Sequence, residues 1–296
     1  MKKPIVSIII PTYYASLYIL EIALKSIANQ TCSKSFYEVI IADNNGGEAV
    51  KRLAKKYGTQ VIKVEGKPPQ TCNQVNLGAK NARGSYIFIL DHDIELSPNL
   101  IKNFVKLRSI KSDVDAWFVP YKIVARGYLL NRIRNFEEKF YKNSVVAAAR
   151  IIKKNIFWQT EKQYDPLLNA GPGDWDLTNQ LRLIGAKFDY IGDYVYHHEE
   201  NLDFWNFIIK KTIYSRGGEV YKKKWREKNL KIYNDIVKKQ YSPFYRFFWI
   251  FIERAKWRNL FPKLPLYFLF LLIKISMAVS YLYKLKSPRC ESSSHF

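Results

Sequence analysis

The stretch Ser85-Tyr86-Ile87-Phe88-Ile89-Leu90, followed at once by Asp91-His92-Asp93, decides how this chain folds. An unbroken apolar run of this kind suits a strand buried on both faces, as in a parallel sheet covered by helices. Such a strand has no reason to end in two acids unless they project from the sheet's edge into a site. Two carboxylates one residue apart there can share a divalent cation, and through it the phosphates of a nucleotide. The alternative is a solvated turn after a strand, and the rest of the chain has to decide between them.

Upstream, Val6–Ile10 reads as a buried first strand ended by Pro11. Residues 17–29 (LYILEIALKSIAN) place Leu17, Leu20, Leu24 and Ile27 on one helical face. Tyr37–Ala42 (YEVIIA) is a second strand that also ends on an acid, Asp43, before Asn44-Asn45-Gly46-Gly47. Residues 48–57 and 73–83 read as helices, with a short strand at 60–64 between them. This alternation predicts an α/β fold with a mostly parallel sheet and helices on both faces. Ligands of such sheets sit beyond the carboxyl ends of the strands, where Pro11, Asp43 and Asp91 all fall. Further on, 99–109 reads as helix, 115–119 as strand and 131–143 as a polar helix, while 144–165 carries no assignable pattern. Ala170-Gly171-Pro172-Gly173 is a loop, and Asp174-Trp175-Asp176-Leu177 opens a helix that Gly185 closes. Tyr190–Tyr196 reads as a strand delivering His197-His198-Glu199-Glu200.

The chain's 296 residues carry 48 Lys and Arg against 26 Asp and Glu, a net charge of +22. Of these, 20 basic and 6 acidic side chains fall within 201–296, among many Trp, Phe and Tyr. A basic, aromatic C-terminal third fits an anionic partner, either nucleic acid or a membrane with acidic headgroups. No RNA- or DNA-binding signature is visible, which favours the membrane. Cys32, Cys72 and Cys290 are odd in number and far apart, so a reducing compartment is expected, without a disulfide framework or a zinc site. The apolar run after Lys2-Lys3 is only five residues long, too short for a signal peptide. The expected location is the cytoplasmic face of the cell membrane.

Residues 219–240 read as a basic helix, 243–261 as large aromatics mixed with Arg and Lys, and 264–285 as the most apolar window of the chain. About 20 apolar residues are needed to span a bilayer, but Lys274 falls near the middle of this window, and a charge there costs about 3 kcal/mol. The expectation is a pair of membrane-seated amphipathic helices, with a single transmembrane helix as the alternative. The predicted division is a catalytic domain over 1–218 and a membrane-association region over 219–296.

With these segments laid out, the chain resembles the family 2 inverting glycosyltransferases of the GT-A fold, from about Val6 to Tyr221. VSIIIPTYYASLYILEIALKSIANQT is similar to the family's first strand and helix, and IIADNNGG to its nucleoside-binding acidic turn. NLGAKNARGSYIFILDHDIELSPNLI resembles the approach to its Asp-x-Asp motif, and DWDLTNQLRLIGAKFDYIGDYVYHHE the segment carrying its base and a metal-binding histidine. The resemblance implies that Pro11, Thr12 and Tyr13 cradle the nucleoside and that Asp43 accepts hydrogen bonds from it. Asn76 and Asp91 would contact the nucleotide sugar, although Val75 stands where many relatives have Arg. Asp93 and His197 would hold Mn²⁺ or Mg²⁺ at the diphosphate, with His198 as a rival ligand. Asp174 matches the general base, with Asp176 as runner-up, and Gly173 replaces the Glu that usually precedes the base.

The implied reaction moves a sugar from a nucleotide-diphosphate donor to a lipid-linked or polysaccharide acceptor, inverting the anomeric centre. Three other readings compete. A sugar nucleotidyltransferase would carry a glycine-rich phosphate loop where PTYYAS stands. A nucleic-acid-binding protein has no need of acids at three strand ends. A catalytically impaired sugar-nucleotide-binding relative is favoured by Gly173 and opposed by Asp174.

Overall fold

The structure, a computed structural model, describes residues 3–67, 70–169, 171–199 and 217–286. Ala170, Glu200 and Cys290 lie outside the described residues. The chain divides into two compact units, one formed by Met1–Lys122 and Ala147–His198, the other by Ile123–Val146 and Glu199–Phe296.

The first unit is built on β1 (Val6–Thr12), β2 (Tyr37–Asp43), β3 (Gln60–Lys63) and β4 (Tyr86–Ile89). These four strands run parallel in the order β3-β2-β1-β4. The intervening helices are α1 (Leu17–Ala28), α2 (Gly47–Lys56) and α3 (Thr71–Asn81). Because side chains alternate along a strand, Val6, Ile8 and Ile10 face one way, into a core with Leu20, Leu24 and Ile27 of α1 and Val50 and Ala54 of α2. Leu17 is exposed instead, since it opens the helix before the packed face begins. On the other face α3 crosses β1 so closely that a Cβ on Gly78 would lie 2.5 Å from the Ile9 side chain. Gln74 of α3 donates to the carbonyls of Thr12 (2.6 Å) and Ala42 (2.7 Å), tying together the carboxyl ends of β1 and β2.

Beyond β4 come β5 (Ile94–Leu96), α4 (Leu100–Ile110), β6 (Ala116–Phe118) and β7 (Tyr121–Val124). After α5 (Tyr128–Tyr141), a helix of the second unit, the segment 144–165 contains β8 (Ala149–Lys153) and α6 (Lys154–Gln159). β8 inserts antiparallel between β4 and β6, giving with β9 (Phe188–Tyr190) a seven-stranded sheet β3-β2-β1-β4-β8-β6-β9 in which it is the one reversed strand. α7 (Gly173–Leu183) follows. The strand expected over Tyr190–Tyr196 is two strands: β9 (Phe188–Tyr190) joins the large sheet, and β10 (Val195–His198) joins a small one, β5-β10-β7. Gly192 and Asp193 lie in the turn that separates them.

In the second unit the basic helix expected at 219–240 is interrupted. Residues 217–228 form α8, then Asn229 turns extended (φ −156°) and its side chain caps the next turn by accepting from the Ile232 amide at 2.9 Å. The aromatic stretch breaks again at Glu253–Ala255, where Arg254 and Ala255 are left-handed. The last helix, α9 (Leu264–Lys286), is 23 residues long. Among the described residues one stretch, Trp257–Ser276, is long and apolar enough to cross a membrane by length and composition.

Candidate active site

The acids singled out from the sequence lie at or just beyond the carboxyl ends of the parallel strands. Thr12 and Asp43 end neighbouring strands in register, and Thr12 Oγ1 donates to Asp43 Oδ1 at 2.7 Å. The Gly46 amide donates to Asp43 Oδ2, also at 2.7 Å, so this acid closes the turn leading into α2. Each oxygen keeps a further lone pair for a ligand. Asn44 is buried as well: its amide donates to the carbonyls of Val64 and Gly66, and its Oδ1 has no partner. Pro11 is buried, whereas Tyr13 is half-buried to exposed, with its ring edge-on to Tyr14 at 4.7 Å. Tyr14 holds φ at 43° and its hydroxyl accepts from Asn45, which is itself left-handed at 89°. Asparagine tolerates that region of backbone space, but a bulky tyrosine there is strained, and such strain collects at ligand sites.

The acid pair occupies the turn between β4 and β5. The His197 ring, on β10, places Nε2 3.3 Å from Asp93 Oδ2. His198 is directed elsewhere, with its Nε2 2.9 Å from Glu95 Oε2. The alternation of a strand thus separates the two histidines, and His197 is the one beside the motif. Among the described residues no three His, Cys, Asp or Glu side chains form a ready-made cation cage. One carboxylate and one imidazole suit a divalent cation whose remaining ligands come from substrate phosphates and water, the usual way Mg²⁺ and Mn²⁺ are held at nucleotides. The donor set therefore fits the implied metal.

Asp174 and Asp91 meet at a residue the sequence did not bring forward. Arg150 of β8 places NH2 2.9 Å from Asp174 Oδ2 and 3.3 Å from Asp91 Oδ2, and its NH1 donates to Asp174 Oδ1 at 3.2 Å. The Thr178 hydroxyl, which accepts from the Ala149 amide at 3.0 Å and donates to the Asp174 carbonyl at 2.7 Å, locks α7 onto β8 and sets this alignment. Burial works against the Arg150 charge, yet Asp174, Tyr121 and Asp91 outweigh it, and the guanidinium is held well above its usual range. Its Nε is buried with no partner.

Tyr164 donates its hydroxyl to Asp174 Oδ1. Burial first, and then the Asp174 charge, push the Tyr164 hydroxyl well above its usual range, which keeps it a donor. Its ring also explains Gly173: a Cβ there would lie 3.0 Å from Tyr164 Cδ1 and 3.3 Å from Cys72 Sγ. Space for a Glu side chain is thus taken by Tyr164. Asn76 fixes this tyrosine rather than reaching outward, since its amide donates to the Tyr164 carbonyl (2.8 Å) and its carbonyl accepts from the Tyr164 amide (3.0 Å). Asp176 has no exposed surface and accepts from Gln180 at 2.7 Å, while 34% of the Asp174 side chain reaches solvent.

This geometry can be set beside known proteins. The glycosyl transferase family 2 model matches residues 7–164, more than half of the chain. The chain belongs to glycosyl transferase family 2. With that membership it is a glycosyltransferase, on the α/β architecture expected. An uncharacterised glycosyltransferase of Methanocaldococcus jannaschii is 25% identical over 236 residues, covering 73% of this chain and 78% of the relative. The chondroitin synthase of Escherichia coli is 29% identical over 199 residues, 62% of this chain but only 26% of that enzyme. Among solved structures, Staphylococcus aureus TarS 1–349 in complex with UDP-GlcNAc superposes with a TM-score of 0.54 at 19% identity, over 71% of this chain and 66% of that one. At that identity the likeness concerns the fold.

Of the residues singled out from the sequence, Asp91 and Asp174 converge through Arg150, Asp93 meets His197, and Thr12 meets Asp43. Arg150 and Tyr164 were missed. Arg150 had one legible signal, as the single charge within the apolar run Val145–Ile152; Tyr164 had none.

Proposed function

We propose that this family 2 enzyme transfers a sugar, with inversion, from a nucleoside-diphosphate donor to a glycan or lipid-linked acceptor, at the cytoplasmic face of a membrane. The observation that carries the reading is the shared guanidinium: Arg150 joins Asp91, which this reading assigns to the donor, to Asp174, which it assigns to the acceptor. Relatives named as a chondroitin synthase and as a poly(ribitol-phosphate) N-acetylglucosaminyltransferase, TarP of Staphylococcus aureus, support a glycan acceptor.

In this reading Thr12, Tyr13, Asp43 and the Asn44 carbonyl take the nucleoside, the ring by contact and the oxygens by accepting its N–H and O–H groups. Asp91 orients the donor, and Asp93 with His197 holds Mn²⁺ or Mg²⁺. When bound, that cation neutralises charge on the diphosphate. Asp174 accepts the proton of the acceptor hydroxyl as that oxygen bonds to the anomeric carbon. The bond from that carbon to the diphosphate oxygen breaks on the opposite face, and its electron pair leaves with the diphosphate. Tyr164 keeps the carboxylate oriented.

Before the donor arrives, both oxygens of Asp174 are engaged by Arg150. An incoming diphosphate competes for that guanidinium, and its arrival frees the base. Binding of UDP, GDP and TDP to wild type, Arg150→Gln, Asp174→Asn and the double variant tests this. Asp174→Asn is expected to tighten the nucleotide that binds by several-fold, and the gain is expected to vanish in the Arg150→Gln background, since residues that share a partner are not additive. Additive effects would remove Arg150 from the donor site. Equal loss of nucleoside and nucleoside-diphosphate binding in Arg150→Gln would make it a structural residue.

A further inference from the structure

The most apolar window of the chain carries two different faces. On one, Tyr267 and Phe270 pack against Phe251, with ring centroids 5.0 and 5.1 Å away, and Tyr267 donates its hydroxyl to the Phe247 carbonyl at 2.8 Å. One turn on, Lys274 places Nζ 2.9 Å from Oε1 of Glu137 on α5. Glu137 is itself buried and is also met by Arg134 and Tyr141. On the other face Phe268, Leu272, Ile275 and Val279 are 59, 60, 55 and 60% exposed. Their spacing of four, three and four residues makes one continuous apolar stripe along the helix. Trp257 and Phe261, just before it, are exposed as well.

At 23 residues α9 is long enough to span a bilayer, so length does not decide between a spanning and a lying helix. Lys274 does. A spanning helix would have to pull this side chain out of its bond with Glu137 and carry it to mid-bilayer, leaving the buried Glu137 to an arginine that Glu199 already shares. We propose that α9 lies in the plane of an anionic membrane surface, docked on its own unit through Tyr267, Phe270 and Lys274, with Phe268, Leu272, Ile275 and Val279 among the acyl chains. The charge of the region fits that partner, with 20 basic against 6 acidic side chains over residues 201–296. This rests on the membrane association proposed above and gives it a definite form.

The test places a nitroxide on full-length protein at Phe268→Cys or Val279→Cys, with Cys32 and Cys290 replaced by Ser, on phosphatidylcholine vesicles with and without phosphatidylglycerol. Depth is read from collisions with oxygen and a nickel complex. An in-plane helix gives the two labels the same shallow depth, on the phosphatidylglycerol vesicles. A spanning helix separates them by about 16 Å, eleven residues at 1.5 Å each, which would overturn the in-plane seat while leaving membrane association intact. No immersion at either position defeats membrane association itself. Leu272→Glu with Ile275→Glu, on the exposed face, is expected to abolish vesicle binding and leave nucleotide binding unchanged; retained vesicle binding would show that the stripe is not the contact.

Discussion

An Asp174→Asn enzyme is expected to turn over about 10²–10⁴-fold more slowly than wild type while still binding the donor nucleotide. The substitution keeps size and hydrogen-bonding shape, so the Tyr164 hydroxyl still has an acceptor, but the amide cannot take a proton from the acceptor sugar. Loss in turnover without loss of nucleotide binding separates a base from a binding residue. Asp176→Asn is the matched control. It removes a charge from the same helix start, but Asp176 is buried and bonded to Gln180, whereas Asp174 reaches solvent. Its expected effect is a modest loss of stability with activity retained. Should Asp176→Asn be the inactive enzyme and Asp174→Asn the active one, the two roles exchange. Should both stay active, the proposed transfer mechanism is wrong.

The second large effect belongs to Asp93. Asp93→Ala is expected to abolish the part of nucleotide binding that depends on Mn²⁺ and to leave the fold intact, because the side chain lies in a turn outside the core strands. His197→Ala should do the same more weakly, since it removes a neutral imidazole and keeps the charged carboxylate, and His198→Ala should not, because that ring bonds Glu95. Titration calorimetry with and without Mn²⁺ reads this directly. Unchanged Mn²⁺-dependent affinity in Asp93→Ala would remove the carboxylate from the metal site.

The sequence revealed the parallel half of the sheet because its strands are short apolar runs bounded by turn residues, and the acids at their ends marked where those strands stop. It failed where strand and helix signals are weak. β8 is written Ala-Arg-Ile-Ile-Lys directly after Ala147 and Ala148, with no alternation to separate strand from helix. It becomes a strand because β4 and β6 offer it edges on both sides. Arg150 was hidden with it. Asn76 read as a nucleotide contact on the strength of resemblance, but only the folded chain brings Tyr164, 88 residues away, into its reach. Gly173 looked like damage to a motif, and the structure gives it a packing reason in the ring of Tyr164. Lys274 argued against a membrane span only by its charge. Its partner Glu137 is more than a hundred residues upstream, beyond any local pattern.

The central claim, a nucleoside-diphosphate donor site at the ends of β1, β2 and β4, is tested most directly by the thermal unfolding of the full chain with UDP, GDP, ADP, TDP and CMP, each with and without Mn²⁺. A ligand that binds only the folded state stabilises it by RT ln(1 + [L]/Kd), about 2.7 kcal/mol at a hundredfold excess over Kd. The account predicts that one nucleoside diphosphate raises the midpoint by several degrees, that Mn²⁺ enlarges the shift, and that Asp43→Ala removes it. A flat response to every nucleotide, with and without Mn²⁺, would contradict it.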